Sequence, residues 1–185
     1  MTAPLPPRPG PHGPALRLAE ILRVDHAGEL AAVNIYRGQL AVMESGGRNA
    51  ISQDLARMEA HEARHLARFE LMLTEAQVRP TLMAPLWRAA GFALGVGTAL
   101  MGEKAAHACT EAVEDVIEAH YAGQIVELEE RAPVLAAELA HFRAEELAHR
   151  DEAIAAGARE APGYRILSGV IRAGCRAAIA ISERI

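Results

Sequence analysis

The side chains with the clearest chemical potential form a repeat of glutamate and histidine. A Glu-x-x-His pair that follows a lone glutamate at a matched distance occurs twice, with the two glutamates 33 positions apart in the first copy and 32 in the second. The six residues are Glu29, Glu62, His65, Glu114, Glu146 and His149. Helix residues three apart share one face, with Cβ atoms about 5–6 Å apart, so each pair can reach a common metal ion.

This residue set is typical of a two-metal centre. Two lone glutamates and two Glu-x-x-His pairs are the ligands of di-iron carboxylate four-helix bundles. Buried carboxylates and imidazoles are costly unless they are paired, so six of them on core faces call for an ion. An oxygen-rich set with two imidazoles favours iron, and manganese fits the same donors. We expect Glu62 and Glu146 to bridge both metals, with Glu29 and Glu114 each binding one.

His61 supports a competing interpretation. With Glu62 and His65 it satisfies the His-Glu-x-x-His pattern of zinc metalloproteases, in which the glutamate is the general base. The second copy has Glu145 at the position of His61, so this histidine is not part of the repeat. A zinc hydrolase is therefore the alternative, and the repeat favours the two-metal centre.

The elements that must position these ligands are helices, because helix-forming residues dominate from residue 15 onward and no alternating strand pattern of useful length occurs. The predicted helices cover residues 16–44, 49–77, 85–130, 133–157 and 162–185. Gly95, Gly97 and Gly102 predict a kink or break in the third. Two helix hairpins, each with a lone Glu first and Glu-x-x-His second, predict an all-α, ferritin-like four-helix bundle.

Length, composition and charge narrow the class of protein. The chain has 185 residues, of which 51% are hydrophobic, which suits one domain with its own core; we place it at residues 15–185. Residues 1–14 hold six of the ten prolines and no apolar segment of a secretory signal, which predicts a flexible tail on a cytoplasmic protein. The net charge of −5 offers no broad basic surface, so no nucleic-acid partner is expected.

The sequence around the ligands resembles the demethoxyubiquinone hydroxylase family of ubiquinone biosynthesis. The similar segments are residues 22–29, 91–100, 108–114 and 172–176. The resemblance runs from about Ile21 to the C-terminus and includes all six proposed ligands. It implies a di-iron monooxygenase that uses O2 to hydroxylate the ring of a demethoxyubiquinol, a late step of ubiquinone synthesis.

The same resemblance implies cofactors, partners and a location. These are two iron ions per chain, O2 as co-substrate, an external reductant such as NADH, a polyprenyl quinol substrate, and other ubiquinone-biosynthesis proteins as candidate partners. The location would be the cytoplasmic face of the inner cell membrane, with peripheral attachment. The ligands alone also fit a ferritin-like iron-storage or ferroxidase protein, and a tRNA-base hydroxylase would need a basic surface.

Two segments could contact a membrane. Residues 89–102 carry no charge, but as a helix they span only about 21 Å of a hydrocarbon core about 30 Å thick; they form either a core helix or a segment that dips into one leaflet. The last helix places arginines on one face and apolar residues on the other. With a lipid substrate implied, we expect additional membrane-associated helices, whose membrane or quinone-channel residues are Phe92, Leu94, Val96, Leu100, Arg165, Arg172 and Arg176.

Four further polar residues lie at helical spacing from the ligands. Asp25 and His26 precede Glu29 by about one turn, which predicts hydrogen bonds around the metal centre. His120 and Tyr121 follow Glu114 by about two turns and could relay protons or electrons, or contact the quinol. Surface or core roles are equally compatible with all four.

Overall fold

The computed structural model describes residues 14–185; of the predicted tail at residues 1–14, residues 1–13 lie outside them and Pro14 begins the first helix. In the described part the chain forms six α-helices, a 3-10 turn at Ala158–Glu160 and no strand, so the all-α prediction is confirmed. The helices are α1 (Pro14–Ser45), α2 (Asn49–Glu75), α3 (Ala84–Leu100), α4 (Glu103–Leu128), α5 (Pro133–Ala155) and α6 (Tyr164–Ser182). The limits of a single domain at residues 15–185 remain a prediction.

Glycine and proline determine where these helices end. Gly47 has a φ of 69° in the turn between α1 and α2. The break predicted in the helical segment at residues 85–130 falls at Gly102, whose φ of 112° an α-helix does not allow, so this segment forms two helices. Pro133 occupies the first turn of α5, where its missing N–H has no helical partner to lose.

Two helix hairpins form the frame of the molecule. Helix α1 packs on α2, and α4 packs on α5. Leu55 and Met58 belong to an apolar cluster on one side of the glutamate and histidine layer along the helices. Phe69, Leu139 and Phe142 belong to a second cluster on the other side. The polar layer is therefore closed off by side chains at both ends.

Helix α3 lies unusually close to α1 because glycines form the contact. A Cβ atom added at Gly95 would lie 2.0 Å from the carbonyl oxygen of Ile35, and one at Gly38 would lie 2.3 Å from that of Phe92. The residues that α3 buries are all small: Gly91, Gly95, Thr98 and Ala99. Two of its larger side chains face outward, with Phe92 43% and Leu100 72% exposed. Helix α3 is thus not a core helix surrounded on all sides.

Helix α6 covers the side of the frame beside α3 and α4. Arg172 Nε donates a hydrogen bond to Asp115 Oδ2 of α4 at 3.0 Å, and Trp87 Nε1 of α3 donates to Ser182 Oγ at 2.9 Å. Within residues 14–185, no helix combines the length and the hydropathy needed to cross a membrane.

Candidate metal centre

The four long helices bring all six predicted ligands together. Helices α1 and α4 each contribute one glutamate, and α2 and α5 each contribute a Glu-x-x-His pair. None of the six predicted ligand residues is more than 1% exposed: Glu29, Glu62, His65, Glu114, Glu146 and His149. The amphipathic spacing predicted from the sequence therefore turns every member of the repeat inward.

The donor atoms form two overlapping groups. In each group, one donor atom from each of four residues lies within 4.8 Å of the others. The groups are Glu29, Glu62, His65 and Glu146, and Glu62, Glu114, Glu146 and His149. Glu62 and Glu146 belong to both, which is the arrangement required of bridging carboxylates.

The two oxygens of each shared glutamate face different histidines. Glu62 Oε1 lies 3.0 Å from His149 Nδ1, and Glu62 Oε2 lies 3.8 Å from His65 Nδ1. Glu146 Oε1 lies 3.2 Å from His65 Nδ1, and its Oε2 lies 3.6 Å from His149 Nδ1. Each carboxylate thus offers one oxygen to each group.

Eight buried donor atoms at this centre have no hydrogen-bond partner in the described structure. They are both carboxylate oxygens of Glu62 and Glu146, one oxygen each of Glu29 and Glu114, and Nδ1 of His65 and His149. A buried polar atom left without a partner costs about 1–3 kcal/mol. Converging lone pairs on oxygen and imidazole nitrogen therefore fit a pair of cations such as iron or manganese.

The electrostatics of the metal-free chain lead to the same conclusion. Burial, with repulsion between neighbouring carboxylates, raises the pKa of Glu62 and Glu114 well above the usual range, and burial also raises the pKa of Glu146. Burial alone would lower the pKa of His65, but the close carboxylates of Glu146 and Glu29 raise it to about 11. A proton on His65 thus partly offsets the charge that a metal would neutralise.

Two buried tyrosines hold the lone glutamates. The hydroxyl of Tyr121 on α4 donates to Glu29 Oε1 on α1, and the hydroxyl of Tyr36 on α1 donates to Glu114 Oε1 at 2.7 Å. Each tyrosine lies seven residues after the lone glutamate of its own helix. Tyr121 was expected near the centre; Tyr36 was not, although the same spacing could have identified it.

The outer nitrogens of the two histidines have different partners. His65 Nε2 lies 2.5 Å from Glu145 Oε2, whereas His149 Nε2 lies 3.1 Å from His61 Nδ1. His61 belongs to neither donor group among residues 14–185. The three-residue zinc site of the competing interpretation is therefore not assembled.

Asp25 and His120 form a separate polar network beside the centre. Asp25 Oδ1 accepts a hydrogen bond from Gln124 Nε2 at 2.8 Å and lies 3.5 Å from His120 Nε2. Burial raises the pKa of Asp25, an effect that His120 opposes. His26 is buried, and burial lowers its pKa. Among residues 14–185, this network makes no hydrogen bond to the six proposed ligands, and no sequence pattern indicated Gln124.

An apolar cavity of about 400 Å³ lies between α1, α3, α4 and α6. Gly28 and Val113, which directly precede Glu29 and Glu114, form part of its wall, and Leu94, Trp87 and Gly174 form another part. The volume lies in the usual range of small-molecule sites, about 300–1,000 Å³. The cavity can therefore hold an apolar ring compound close to the donor cluster.

The predicted membrane and channel residues fall in three places. Leu94 lines the cavity. Phe92 and Leu100 lie exposed on the outer face of α3, and Val96 is half-buried. On α6, Arg165 and Arg176 are exposed, but Arg172 is half-buried and bound to Asp115. The three arginines do not form one free basic stripe, because Asp115 of α4 neutralises the middle one.

The chain is similar to several proteins that are named as hydroxylases. A Rhodospirillum rubrum protein named 3-demethoxyubiquinol 3-hydroxylase is 51% identical over 177 residues, which cover 96% of this chain and 82% of that protein. The human NADPH-dependent 3-demethoxyubiquinone 3-hydroxylase, mitochondrial, is 46% identical, with 89% and 76% covered. A Saccharomyces cerevisiae 5-demethoxyubiquinone hydroxylase is 38% identical, with 91% and 78% covered. Residues 16–182 match the family described as ubiquinone biosynthesis protein COQ7, and the chain therefore belongs to that family.

Proposed function

We propose that this protein is a ferritin-like di-iron monooxygenase that hydroxylates the ring of a demethoxyubiquinol in ubiquinone biosynthesis. The observation that carries the proposal is a buried pair of overlapping donor groups beside an apolar cavity. The similar hydroxylases support the reaction and the substrate class. Iron is preferred because the donors are mostly carboxylate oxygens with two imidazoles.

The residues have distinct roles in this proposal. Glu29 and His65 would hold one iron, Glu114 and His149 the other, and the two remaining glutamates would bridge them. The bound irons would supply the chemistry of O2 activation. Tyr36 and Tyr121 orient the lone glutamates through their hydroxyls, and the apolar clusters on either side exclude water from the centre.

The cavity would bind the quinol ring, because its wall includes the residues next to Glu29 and Glu114. The polyprenyl tail would leave along α3 and α6, whose residues form another part of the wall. One oxygen atom of O2 enters the ring and the other becomes water, so two electrons and two protons must come from an external reductant. We propose a reduced nicotinamide such as NADH for this role.

We further propose that the protein binds peripherally to the cytoplasmic face of the inner cell membrane. Support comes from apolar side chains on the outer faces of the two helices that flank the cavity. Phe92 and Leu100 are exposed on α3, and Ile166 and Val170 are 77% and 67% exposed on α6, where Val170 also lines the cavity. Exposed apolar patches mark surfaces that bind partners or membranes, and the exposed Arg176 suits anionic headgroups.

The function can be tested by complementation of a strain that lacks its demethoxyubiquinol hydroxylase. The wild-type gene should remove the accumulated demethoxyubiquinone and restore ubiquinone, and Glu114→Gln should not. The matched control is Glu111→Gln, one turn earlier on α4, because Glu111 is equally buried but is bound by Arg159 and Tyr164 outside the donor groups. Failure of the wild-type gene, despite normal expression, would contradict the proposal. Iron uptake without hydroxylation would instead favour iron storage.

A further inference from the structure

The two proposed metal positions differ in what supports their histidines. Glu145, a carboxylate, lies 2.5 Å from the outer nitrogen of His65. The residue at the equivalent place beside His149 is His61, an imidazole, at 3.1 Å. Both supporting residues immediately precede the glutamate of a Glu-x-x-His pair, so they are counterparts in the repeat.

The protonation of each histidine follows from its geometry. Nδ1 of both histidines faces the donor cluster, so it must present a lone pair to a metal ion. Nε2 then carries the proton and donates to the outer partner. His65 donates to a carboxylate, while His149 donates to Nδ1 of His61, which can accept only as a neutral imidazole.

Hydrogen bonds to charged acceptors are roughly twice as strong as neutral ones. A carboxylate behind a metal-bound histidine also increases the basicity of that ligand. Nδ1 of His65, which has Glu145 behind it, is therefore a stronger metal ligand than Nδ1 of His149, which has His61 behind it. Arg64 lies 3.6 Å from Glu145 Oε1, but its side chain is 60% exposed and its charge is largely screened by water.

The other contacts of the proposed ligands are similar at the two metal positions. Each lone glutamate accepts one tyrosine hydroxyl, from Tyr121 on one side and Tyr36 on the other. Glu62 and Glu146 offer one oxygen to each position. The residue behind the histidine is therefore the clearest chemical difference between the two halves.

We propose that His61 is a positioning residue that supports His149 less strongly than Glu145 supports His65, so that the Glu114–His149 position is the weaker metal site and the Glu29–His65 position fills first. This inference rests on the two-metal centre proposed above. It gives His61 a role that is unrelated to a zinc hydrolase. It also predicts that the two positions of the centre bind metal ions with unequal affinities in the wild-type protein.

Single-position variants allow the inference to be tested with Co²⁺ alone, by anaerobic titration followed by visible absorption. Glu29→Ala retains the position beside His61, and Glu114→Ala retains the one beside Glu145. In the Glu29→Ala background, His61→Leu should weaken Co²⁺ binding about 10–100-fold. His61→Gln should restore most of the loss because its amide oxygen accepts the same hydrogen bond, and His61→Glu should bind more tightly than the parent.

The Glu114→Ala background is the matched control. There His61→Leu should leave Co²⁺ affinity within about twofold, and Glu145→Leu should weaken it about 10–100-fold. Equal weakening by His61→Leu in both backgrounds, or no recovery with His61→Gln, would overturn the role of His61. Wild-type protein that binds two Co²⁺ ions with equal affinity would overturn only this inference. Wild-type protein that binds no Co²⁺ would overturn the metal centre itself.

Discussion

The hydroxyl of Tyr36 on α1 lies 2.7 Å from the carboxylate of Glu114 on α4 and donates a hydrogen bond to it. The reciprocal bond joins Tyr121 on α4 to Glu29 on α1. Each half of the sequence repeat therefore supplies a lone glutamate and the hydroxyl that holds the other half's glutamate. The two helix hairpins are interlocked at the centre, and neither half can orient its own ligand alone.

Removal of one hydroxyl should weaken this interlock. Tyr36→Phe leaves a buried carboxylate oxygen without its donor, so the free energy of unfolding should fall by about 1–3 kcal/mol. Denaturant unfolding of the metal-loaded protein measures the change. Tyr164→Phe is the control, because Tyr164 is only half-buried and shares Glu111 with Arg159. A larger loss for Tyr164→Phe than for Tyr36→Phe would contradict this role of Tyr36.

The stability of the metal-free protein should fall as the pH rises. The folded-state pKa of Glu62 and of Glu114 lies well above the ordinary value of 4.5. Burial is the main cause, and repulsion from neighbouring carboxylates adds to it. Above the ordinary value the folded chain keeps protons that the unfolded chain has lost, so unfolding becomes easier with each increase in pH. Bound metal displaces these protons and should abolish the fall.

Denaturant unfolding at pH values from about 5 to 8, with and without metal, tests this sign. Glu62→Gln removes one buried charge and should flatten the metal-free profile. A Glu62→Gln profile with the same slope as the wild-type profile would contradict this role of the buried carboxylates.

A side chain that fills the cavity should block the substrate but not the metal. Gly174 on α6 lines the cavity, and a Cβ atom at this position meets no other atom within 4 Å. Gly174→Leu should therefore raise KM for a demethoxyubiquinol or lower kcat/KM at least about tenfold, which corresponds to about 1.4 kcal/mol. Iron content should not change. Gly169→Leu is the control, since this glycine of α6 has the same free space but lies outside the cavity wall. Equal loss in both variants would place the quinol elsewhere.

Charges on the outer face of α6 should prevent membrane binding. Ile166→Glu combined with Val170→Glu puts two carboxylates on the proposed membrane surface, so flotation with vesicles of anionic and zwitterionic phospholipid should drop several-fold. Val134→Glu on α5 is the control, because Val134 is 79% exposed and lies on a different helix from the two that flank the cavity. Unchanged flotation of the double variant would contradict this membrane surface.

The grouping of the six glutamate and histidine side chains and the helix ends were predictable because local rules govern them. Three-residue spacing within a helix puts each Glu-x-x-His pair on one face, and the repeat extends the argument to Glu29 and Glu114. Gly102 ends α3 because its positive φ is incompatible with a helix. Tyr36 was equally accessible to this reasoning, since it matches Tyr121 in the repeat.

Contacts between distant helices were not predictable, since they depend on the relative rotation and height of packed helices. The approach of His61 to His149 joins residues 88 positions apart, and no local pattern encodes it. The pairing of Arg172 with Asp115 has the same origin. The close contact of α3 with α1 at Gly95 was also hidden, because glycine in a helix predicts a kink as readily as a packing contact.

The reaction of purified, iron-loaded protein with a demethoxyubiquinol under ¹⁸O₂ tests the central claim most directly. With an external reductant present, the product should contain one additional oxygen atom derived from ¹⁸O₂, and Glu114→Gln should form none. Product that takes its oxygen from water, or equal turnover without iron, would contradict an O2-dependent di-iron hydroxylase.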